Sequence, residues 1–575
     1  MVPKTLDTDI LILGAGGAGL FAALHAHKAA PELSITVAVK GLLGKCGCTR
    51  MVQGGYNVAL AREDSVERHF MDTIEGGGWL CDQELAWKLV TLAVERIREL
   101  ENELGCFFDR NPDGTIHQKA FAGQTFDRTV HKGDLTGIEI INRLAEQVWA
   151  RDISRLEEHR AVELIKDSSG SAIAGALFID MRTGEYVFVR AKAVLLATGG
   201  GPTMYRYHTP SGDKSCDGLA MALRAGLPLR DMEMVQFHPT GLLAGTHTRM
   251  TGTVLEEGLR GAGGHLLNGA RERFMPRYDP KGERATRDIV ARAMFSEIRK
   301  GSTSPHGGLY LSMAHLGAIE VRNQFKGMVE RCADCGFDLA GGLVEVVPTA
   351  HYLMGGVEFA PDCTTALPGL FVAGEDAGGV HGANRLGGNG VANSTVFGAV
   401  AGDAMAAWAK VEGKFLEPDR NALDAAISEC ERPFGGGSQE NIETLRERLY
   451  EVMWEQVGIL RDAGGLEVAR NELQALDVEL DAYSLPHAER AFNLAWHDWL
   501  NLKSLVAVSR AIAVAAAARR DSRGAHFRSD FPESGALEQS VFTSLRSTGN
   551  QLQVFVKPVV FARVAPGQTL LRNVA

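Results

Sequence analysis

The sequence predicts an α/β protein whose main domain has a Rossmann-like fold, and three observations lead to this prediction. A short apolar strand at residues 9–13 runs directly into Gly-Ala-Gly-Gly-Ala-Gly at 14–19. A helix at 20–30 and a second strand at 33–40 follow, and this βαβ setting makes the glycine pattern a dinucleotide-binding fingerprint. Further along, an apolar strand at 193–197 also runs into a glycine-rich turn.

Each glycine of the fingerprint is expected to have its own role. Gly14 permits the tight turn, Gly16 lets a pyrophosphate approach the backbone, and Gly19 allows close packing of the helix. The second strand ends at Lys40, without the acidic residue that usually binds a ribose hydroxyl. The backbone or another residue is therefore expected to take that role.

Length and composition indicate a soluble protein of several units. A chain of 575 residues is too long for one compact core, so two to four units are expected. The net charge of -11 argues against a nucleic-acid binder. The nine cysteines lack framework spacing, which favours free thiols in a reducing compartment. No run reaches the roughly 20 apolar residues that cross a bilayer, so 505–518, interrupted by Arg510, is interpreted as a packed helix.

The rest of the chain divides by its pattern. Residues 65–105 have apolar positions at helical spacing, and 174–189 alternate like a hairpin. Residues 440–535 are helical in pattern, and 551–563 are typical of a closing strand. The expected units are the two parts of the dinucleotide-binding domain at 1–240 and 348–412, an inserted α+β capping domain at 241–347, a helical domain at 413–540 and a small C-terminal segment at 541–575.

Four separated loops carry side chains suited to chemistry on a small anion. They hold His238; Glu256 with Glu257 and Arg260, followed downstream by Arg287; His351; and Glu375 with Arg385. A lone histidine near glycines is more often structural, but four such loops beside a dinucleotide fingerprint favour a functional site. The last loop follows a strand at 370–373 and precedes a helix, whose unpaired N–H groups could bind an anion. A cofactor and a small anionic substrate are expected to meet there.

The motifs in these loops match a known family, in the same order, over about residues 8–535. They are GAGGAG, QGG, ATGG, QFHPTG, EGLRGAGG, TRDIVAR, AHYLMGG, GLFVAGE, HGANRLGGN and SRGAHFRSDFP. The chain therefore resembles the flavoprotein subunit of succinate dehydrogenase and fumarate reductase (complex II), with L-aspartate oxidase as a close relative. GANRLGGN is of the complex II type, whereas L-aspartate oxidases usually read RLASNS there.

The resemblance implies FAD as the cofactor, a dicarboxylate substrate and no metal site. The implied FAD contacts are Gly14, Gly16, Gly17, Gly19, Lys40, Thr49, Gln53, Gly54, Gly55, Thr198, Gly199, Asp217, Glu375, Gly390 and Val391. It also implies that His238, His351 and Arg385, with Glu256 beside them, hold the two carboxylates of succinate or fumarate. Arginine suits this task because its guanidinium can pair with a carboxylate through two hydrogen bonds.

The resemblance further implies that Arg287 is the proton donor and acceptor, with Glu257, Arg260 and Asp288 as its relay. Reducing fumarate needs a hydride from flavin N5 at one alkene carbon and a proton at the other. An arginine is an unusual acid, because its ordinary pKa is above about 12. A proton passed from Glu257 through Arg260 would leave Arg287 neutral only transiently. The spacing of three places Glu257 and Arg260 on one helix face, although an ordinary surface ion pair fits equally well.

Two departures from the family pattern bear on the cofactor and the substrate. Most members carry a histidine, covalently bonded to the flavin, just before QGG, whereas residues 45–50 here read KCGCTR. Noncovalent FAD is therefore expected, with a thioether from Cys46 or Cys48 as the alternative, and the lower flavin potential would favour fumarate reduction. The family's usual Thr-Glu is Glu256-Glu257 here, and a carboxylate at 256 would repel a dianion unless protonated or turned away. Gly390 stands where many relatives have serine.

Electrons are expected to reach or leave the flavin through another protein. Cys332 and Cys335 form a lone CxxC pair, which has too few thiolates for an iron–sulfur cluster. The helical region and SRGAHFRSDFP resemble the subunit type that docks on an iron–sulfur protein, and through it on a membrane anchor and quinone. A soluble carrier or oxygen is the alternative. A cytoplasmic chain, peripheral at the inner face of the cell membrane, is expected.

Three functions are compatible with these features. The first is a complex II-like flavoprotein subunit that interconverts succinate and fumarate. The second is a stand-alone FAD dehydrogenase or oxidase acting on another carboxylic acid, such as L-aspartate. The third is a non-enzymatic FAD-binding or assembly protein, which is disfavoured because it would not need a proton relay around Arg287.

Overall fold

The computed structural model describes residues 2–245, 248–437, 441–549 and 551–571. Its strands are β1 Lys4–Leu13, β2 Ile35–Val39, β3 Tyr56–Asn57, β4 Gln118–Lys119, β5 Thr129–Val130, β6 Ser154–Glu157, β7 His159–Lys166, β8 Ile173–Asp180, β9 Tyr186–Leu196, β10 Leu229–Arg230, β11 Val235–Leu242, β12 His265–Leu267, β13 Leu309–Ser312, β14 Leu343–Leu353, β15 Gly356–Val357, β16 Leu370–Val372, β17 Val541–Thr548 and β18 Gln551–Pro558.

Its α-helices cover the sheets and form most of the C-terminal third. They are α1 Gly17–Ala29, α2 Val66–Gly76, α3 Gln83–Asn102, α4 Thr136–Trp149, α5 Asp217–Arg224, α6 Gly258–Gly261, α7 Arg287–Arg299, α8 Ala318–Gln324, α9 Lys326–Asp334, α10 Asn389–Val411, α11 Arg420–Glu431, α12 Ile442–Gln456, α13 Ala463–Asp481 and α14 Leu494–Ala518. Residue 440, where the predicted helical region begins, and residues 572–575 of the predicted C-terminal segment lie outside the described residues.

The predicted βαβ unit is confirmed and lies at the centre of a seven-stranded sheet. The strand order is β6–β2–β1–β9–β8–β7, with β16 also paired to β9. β6, β2, β1, β9 and β16 run parallel, so the glycine-rich turns after β1, β9 and β16 meet at one edge of the sheet. Leu196 at the end of β9 pairs with both Leu13 and Val372. This arrangement confirms the Rossmann-like fold class.

β9 contains both the second strand of the predicted hairpin and the apolar strand predicted at 193–197, which the sequence pattern assigned to separate elements. β9 pairs antiparallel with β8 over its first half, which confirms the predicted hairpin. On its other edge the same strand pairs parallel with β1 from Val187 to Leu196, so the apolar run at 193–197 is its end and not a new strand. The near-continuous burial of β9 explains this, because a strand covered on both faces shows no break in its apolar pattern.

A second sheet, in the order β11–β14–β13–β12, has a hydrophobic core of its own. The chain leaves the main domain through β11 and returns through its antiparallel partner β14. The buried residues of this core all lie between Leu242 and Val346. The fold therefore contains an α+β unit inserted into the dinucleotide-binding domain.

The C-terminal helices end earlier than the sequence pattern indicates. α14 stops at Ala518, whereas residues 519–535 form turns stabilised by buried arginines, among them Arg519, which donates to Glu233 at 2.6 Å. Gly524 in these turns has a φ of 52°, which a continuing helix does not allow. α14 is long and apolar enough to cross a membrane, and 61% of its apolar stretch is buried inside the protein. β18, the predicted closing strand, ends at Pro558 and lies at a sheet edge.

Candidate active site

The turn after β1 could accommodate an anion because it lacks side chains. Gly14 has a φ of +114°, and a Cβ there would lie 2.2 Å from the carbonyl oxygen of Ala197. A Cβ on Gly19 would lie 1.9 Å from the carbonyl oxygen of Gly14, so glycine lets α1 pack on the turn. Gly16 lines the cavity instead, and its nearest neighbour, Thr49 Oγ1, would be 3.5 Å from a Cβ. The N–H of Gly17, which begins α1, donates to Thr49 Oγ1 at 3.0 Å, so a phosphate would meet the next N–H groups of the helix.

Lys40, found where an acid is usual, belongs to a polar network around Asp217. Its Nζ donates to Asp217 Oδ2 at 3.0 Å, and Arg160 donates to Asp217 Oδ1 at 2.7 Å. Burial favours the neutral acid, but the two cations outweigh it and hold the pKa of Asp217 below its usual range. Two residues of α14 complete the network, since Asn501 accepts from Lys40 at 3.3 Å and Ser504 donates to Asp217 at 2.9 Å.

Glu375 and its neighbour Asp376 hold together the turns that follow three strands. Glu375 Oε1 accepts from the backbone N–H groups of Gly201 and Leu353, at 3.1 and 3.0 Å. The fully buried Asp376 accepts from the N–H of Gly199 at 3.1 Å and from Thr198. The carboxylates therefore fix the backbone of the Thr-Gly-Gly turn in the cavity wall.

One cavity of about 490 Å³ joins these turns to the four loops. Its lining includes Gly16, Gly17, Thr49, Gln53, Gly54, Gly55, Thr198, Gly199, Glu375, Gly390 and Val391 from the predicted cofactor contacts, and His238, Glu256, Glu257, Arg287, His351 and Arg385 from the predicted substrate and proton-transfer residues. Gly14, Lys40 and Asp217 line an adjoining cavity of about 70 Å³. Gly19 is packed against the turn, and Arg260 and Asp288 lie behind the cavity wall.

The two-part cavity fits FAD together with a small anion. Glycine backbone and a helix N-terminus lie where the pyrophosphate needs N–H donors. Near the middle, the buried Oε1 of Gln53 has no hydrogen-bond partner within the described residues. At the far end, cationic and imidazole side chains provide donors for a carboxylate.

Arg287, Glu257 and Arg260 form a buried chain of contacts. Glu257 Oε2 accepts from Arg287 Nε and Nη2 at 3.1 and 2.6 Å, while Oε1 accepts from Arg260 Nη2 at 3.2 Å. Arg287 Nη1 also donates to Gln236 at 3.0 Å. Burial alone would raise the pKa of Glu257, but the two guanidinium groups lower it below its usual value. The pair of Glu257 and Arg260 is thus an internal ion pair and not a surface one.

Asp288 lies apart from this chain of contacts. Its carboxylate accepts from Thr286 at 2.5 Å and pairs with Arg292 at 3.5 Å, at the start of α7. In the described part of the protein it makes no hydrogen bond to Arg287, Glu257 or Arg260. The structure therefore brings Arg287 together with two of its three predicted relay residues.

His238 and His351 face each other with ring centres 5.4 Å apart. His238 Nδ1 accepts from the N–H of Thr240 at 3.3 Å, which leaves the proton on Nε2. His351 Nδ1 lies 2.7 Å from Thr209 Oγ1. Desolvation and the nearby Arg287 cation hold the pKa of both histidines well below its ordinary value. Both rings are therefore neutral; His238 can donate from Nε2, and His351 can do so when its Nδ1 accepts from the Thr209 hydroxyl.

Arg385 is a buried cation that has no counter-ion in the part of the chain that the structure describes. It is 5% exposed and forms no salt bridge within the described residues, and its Nε has no hydrogen-bond partner there. Its guanidinium lies 4.4 Å from the centre of the Tyr352 ring. A Cβ on Gly390 would lie 2.8 Å from Arg385 Nη1, so the glycine provides the space that the guanidinium occupies. An unpaired buried arginine in a cavity indicates an anionic ligand.

Both cysteines that could bond a flavin lie near the cofactor turns. Cys48 lines the larger cavity and Cys46 the smaller one. Burial raises the pKa of the Cys48 thiol to about 12, so it is held as a thiol and not as a nucleophilic thiolate. All nine cysteines are free thiols.

Several side chains at the site were not expected from sequence. Gln236 lies in the same motif as His238 and was overlooked because an amide carries no charge. Asp376 follows Glu375 directly, and Tyr352 follows His351. Their position beside a predicted site residue was the signal that could have indicated a place in the site. Lys119, which lies 3.3 Å from Glu256, comes from a distant part of the chain and left no signal.

Comparison with known proteins identifies the family. The chain matches an FAD binding domain over residues 9–391 and a fumarate reductase flavoprotein C-terminal domain over residues 446–570. It is 39% identical to one of the subunits of the fumarate reductase (CoM/CoB) of Methanothermobacter marburgensis, over 93% of this chain and 96% of that one. It is 34% identical to the fumarate reductase flavoprotein subunit of Escherichia coli, over 95% and 92% of the two chains.

The architecture agrees with the sequence comparison. A structure of E. coli quinol fumarate reductase superposes with a TM-score of 0.93 at 32% identity, over 98% of this chain and 99% of that one. The predicted resemblance to complex II flavoproteins is thus confirmed, as is the predicted cofactor FAD. The chain belongs to the fumarate reductase/succinate dehydrogenase flavoprotein family, and it is an FAD-dependent oxidoreductase.

Proposed function

We propose that this chain is the catalytic flavoprotein subunit of an enzyme that interconverts succinate and fumarate. The observation that carries this proposal is Arg385, a buried and unpaired cation that shares one cavity with His238, His351 and Arg287 and with the FAD-binding glycines. A small dianion would supply the missing negative charge. The names of the relatives support fumarate as the substrate.

The binding residues suit two carboxylates. Arg385 can pair with one carboxylate through the fork of its guanidinium. His238 and His351, both neutral, can each donate a hydrogen bond to a carboxylate oxygen from the opposite side of the cavity. Together these contacts would hold the alkene in one orientation and withdraw electron density from it.

Arg287 is the proposed proton donor in fumarate reduction and the acceptor in succinate oxidation. The chemistry that bound FAD supplies is the exchange of a hydride with the substrate. Arg287 can give a proton to the second carbon because Glu257 contacts its Nε and Nη2. Glu257 in turn contacts Arg260, which can return the proton to Arg287. Asp288 is left out of this relay because it pairs with Arg292 instead.

FAD is proposed to bind without a covalent link. The sequence has no histidine at residues 45–50, and the Cys48 thiol is held in its unreactive protonated form. Without an electron-withdrawing link the flavin potential is lower, which favours fumarate reduction over succinate oxidation.

Electrons are proposed to pass between the flavin and a separate iron–sulfur subunit. The chain has only one CxxC pair, Cys332 and Cys335, and Cys332 is buried. Several relatives are named as subunits, and the superposed E. coli protein is a quinol fumarate reductase. A peripheral position at the inner face of the cell membrane, through partner subunits and a membrane anchor, is part of this proposal.

Anaerobic spectroscopy of the purified holoprotein tests the proposal. Succinate is expected to bleach the oxidised flavin and fumarate to restore the colour of the reduced flavin, whereas L-aspartate should do neither. The proposal fails if succinate and fumarate leave the flavin spectrum unchanged. Bleaching by L-aspartate would favour the stand-alone oxidase or dehydrogenase instead.

A further inference from the structure

The cavity that binds a dianion in the proposed function also contains an acidic side chain. Glu256 lines it, and only 5% of this side chain is exposed. Both of its oxygens contact the ammonium of Lys119, at 3.3 and 3.4 Å. The Lys119 ammonium also lies 5.8 Å from the centre of the Phe121 ring, which lines the same cavity.

The two partners come from different parts of the fold. Lys119 ends β4, in the small sheet β3–β5–β4 of the main domain. Glu256 lies two residues before α6, in the inserted unit that has its own core. No strand pairing joins the two segments within the described residues. Side-chain chemistry therefore holds this contact, at the place where the inserted unit closes the cavity.

The ion pair changes the charge that the cavity wall around Glu256 presents to a bound anion. A buried carboxylate without a partner would repel a dianion, or would take up a proton to avoid its own desolvation. A carboxylate held by an ammonium presents almost no net charge to the cavity. Because Lys119 already contacts both oxygens of Glu256, the ammonium group of an amino acid would have to compete with it for this carboxylate.

We propose that Lys119 is a positioning residue, which neutralises Glu256 so that a dicarboxylate without an ammonium group can bind beside it. This inference rests on the proposed function and adds a specificity determinant to it. The family's usual threonine at position 256 would offer a hydroxyl donor, whereas this chain presents a charge-balanced pair of Lys119 and Glu256.

Kinetics of the holoenzyme with fumarate, with a reduced viologen dye as electron donor, test the proposal. We expect Lys119→Met to raise KM about tenfold or more at pH about 8.5, where an unpaired Glu256 is ionised, with kcat within about threefold of the wild type. The rise in KM should shrink as the pH is lowered, because burial raises the pKa of Glu256 and so favours its protonated form. Lys119→Arg should keep the wild-type KM, since it preserves the cation.

The double variant Lys119→Met/Glu256→Gln separates positioning from a merely structural role. It lacks both charges, so its KM should return to within about threefold of the wild-type value. A loss of folding caused by Lys119→Met would not be repaired in this way.

The charged groups that face Glu256 are Lys119 from β4, Asp134 from the turn before α4, Arg331 from α9, and Arg287, Arg385 and Glu257 across the cavity.

An unchanged KM in Lys119→Met at high pH, or no recovery in the double variant, would overturn the proposal. The affinity for malonate, measured by the flavin difference spectrum, provides a second test that does not require turnover. If the wild type binds malonate but does not react with fumarate or succinate, the proposed function fails, and Lys119 is judged by the malonate affinity of the variants. If the wild type neither reacts nor binds malonate, both proposals fail.

Discussion

Arg287 and Arg260 contact opposite oxygens of the same buried carboxylate, that of Glu257. Arg287 Nη2 donates to Oε2 at 2.6 Å, and Arg260 Nη2 donates to Oε1 at 3.2 Å. The exposed fractions of the three side chains are 7%, 0% and 2% for Arg287, Arg260 and Glu257. A carboxylate that bridges two guanidinium groups in this way orients both of them and provides one route for a proton between them.

Glu257→Gln should therefore slow catalysis without weakening cofactor binding. The amide keeps the shape of the side chain but cannot carry a proton between the two arginines. We expect kcat for fumarate reduction to fall on the order of 100-fold or more, with the FAD content unchanged. Glu320→Gln, on the exposed face of α8, is the matched control. A Glu257→Gln enzyme with nearly full kcat would remove Glu257 from the relay.

Arg385→Lys should weaken the binding of dicarboxylates. Lysine keeps the charge but loses the planar fork that pairs with a carboxylate. We expect the dissociation constant of malonate, read from the flavin spectrum, to rise between about tenfold and 100-fold, as for the loss of a hydrogen bond to a charged group. Arg322→Lys, on the exposed surface of α8, should leave it unchanged. Equal affinities in the two variants would contradict the role assigned to Arg385.

Gly390→Ser tests the departure from the family pattern beside Arg385. A Cβ at 390 would lie 2.8 Å from Arg385 Nη1, so the guanidinium must move. We expect KM for fumarate to rise about threefold to tenfold while FAD stays bound. Gly212→Ser is the matched control, because nothing lies within 4 Å of a Cβ there. An unaltered KM would show that the guanidinium tolerates a side chain at this position.

The cofactor should separate from the protein on acid denaturation. Because the Cys48 thiol is protonated and no histidine is present at 45–50, we expect yellow supernatant and a protein mass without flavin. Cys48→Ser should retain FAD at the wild-type stoichiometry. Flavin that stays in the pellet of the wild type and leaves that of Cys48→Ser would instead establish a thioether at Cys48.

Stability should fall as the pH drops below the ordinary range for histidine. Desolvation lowers the pKa of His69 and His497 to about 3, and that of His526 also lies well below its usual value. These groups bind protons in the unfolded state first, below about pH 6.5, so unfolding takes up protons and stability decreases as the pH falls. Thermal unfolding of the holoenzyme between pH 7.5 and about 5 measures this effect. A melting temperature that is flat over this interval would contradict it.

The βαβ unit and the four loops could be predicted because their signals are local. Gly14 and Gly19 are adjacent to the elements they join, and the motif around His238 lies on a single strand. The sequence pattern could not show that 186–196 is one strand, since β9 is buried almost continuously and pairs with β8 on one edge and with β1 on the other. Lys119 could not be found at all, because its partner Glu256 is 137 residues away and no pattern links them.

Asp288 was predicted to act together with Arg287, but its side chain makes different contacts. It follows Arg287 directly, and the resemblance to the family implied a shared role. In a helix, however, consecutive side chains point in different directions, so Asp288 contacts Arg292 one turn later while Arg287 contacts Glu257. Adjacency in the chain is a poor guide to contact once α7 has formed.

The network of Lys40 and Asp217 sets a time during synthesis at which the cofactor site can be complete. Its last two members, Asn501 and Ser504, belong to α14, although the glycine turn that begins the site is at residue 14. Nearly nine-tenths of the chain must leave the ribosome before these contacts can form. With Lys40 and Asp217 as predicted FAD contacts, we therefore expect stable capture of FAD to be a late step of biogenesis, and a nascent chain that stalls before α14 to lack these contacts.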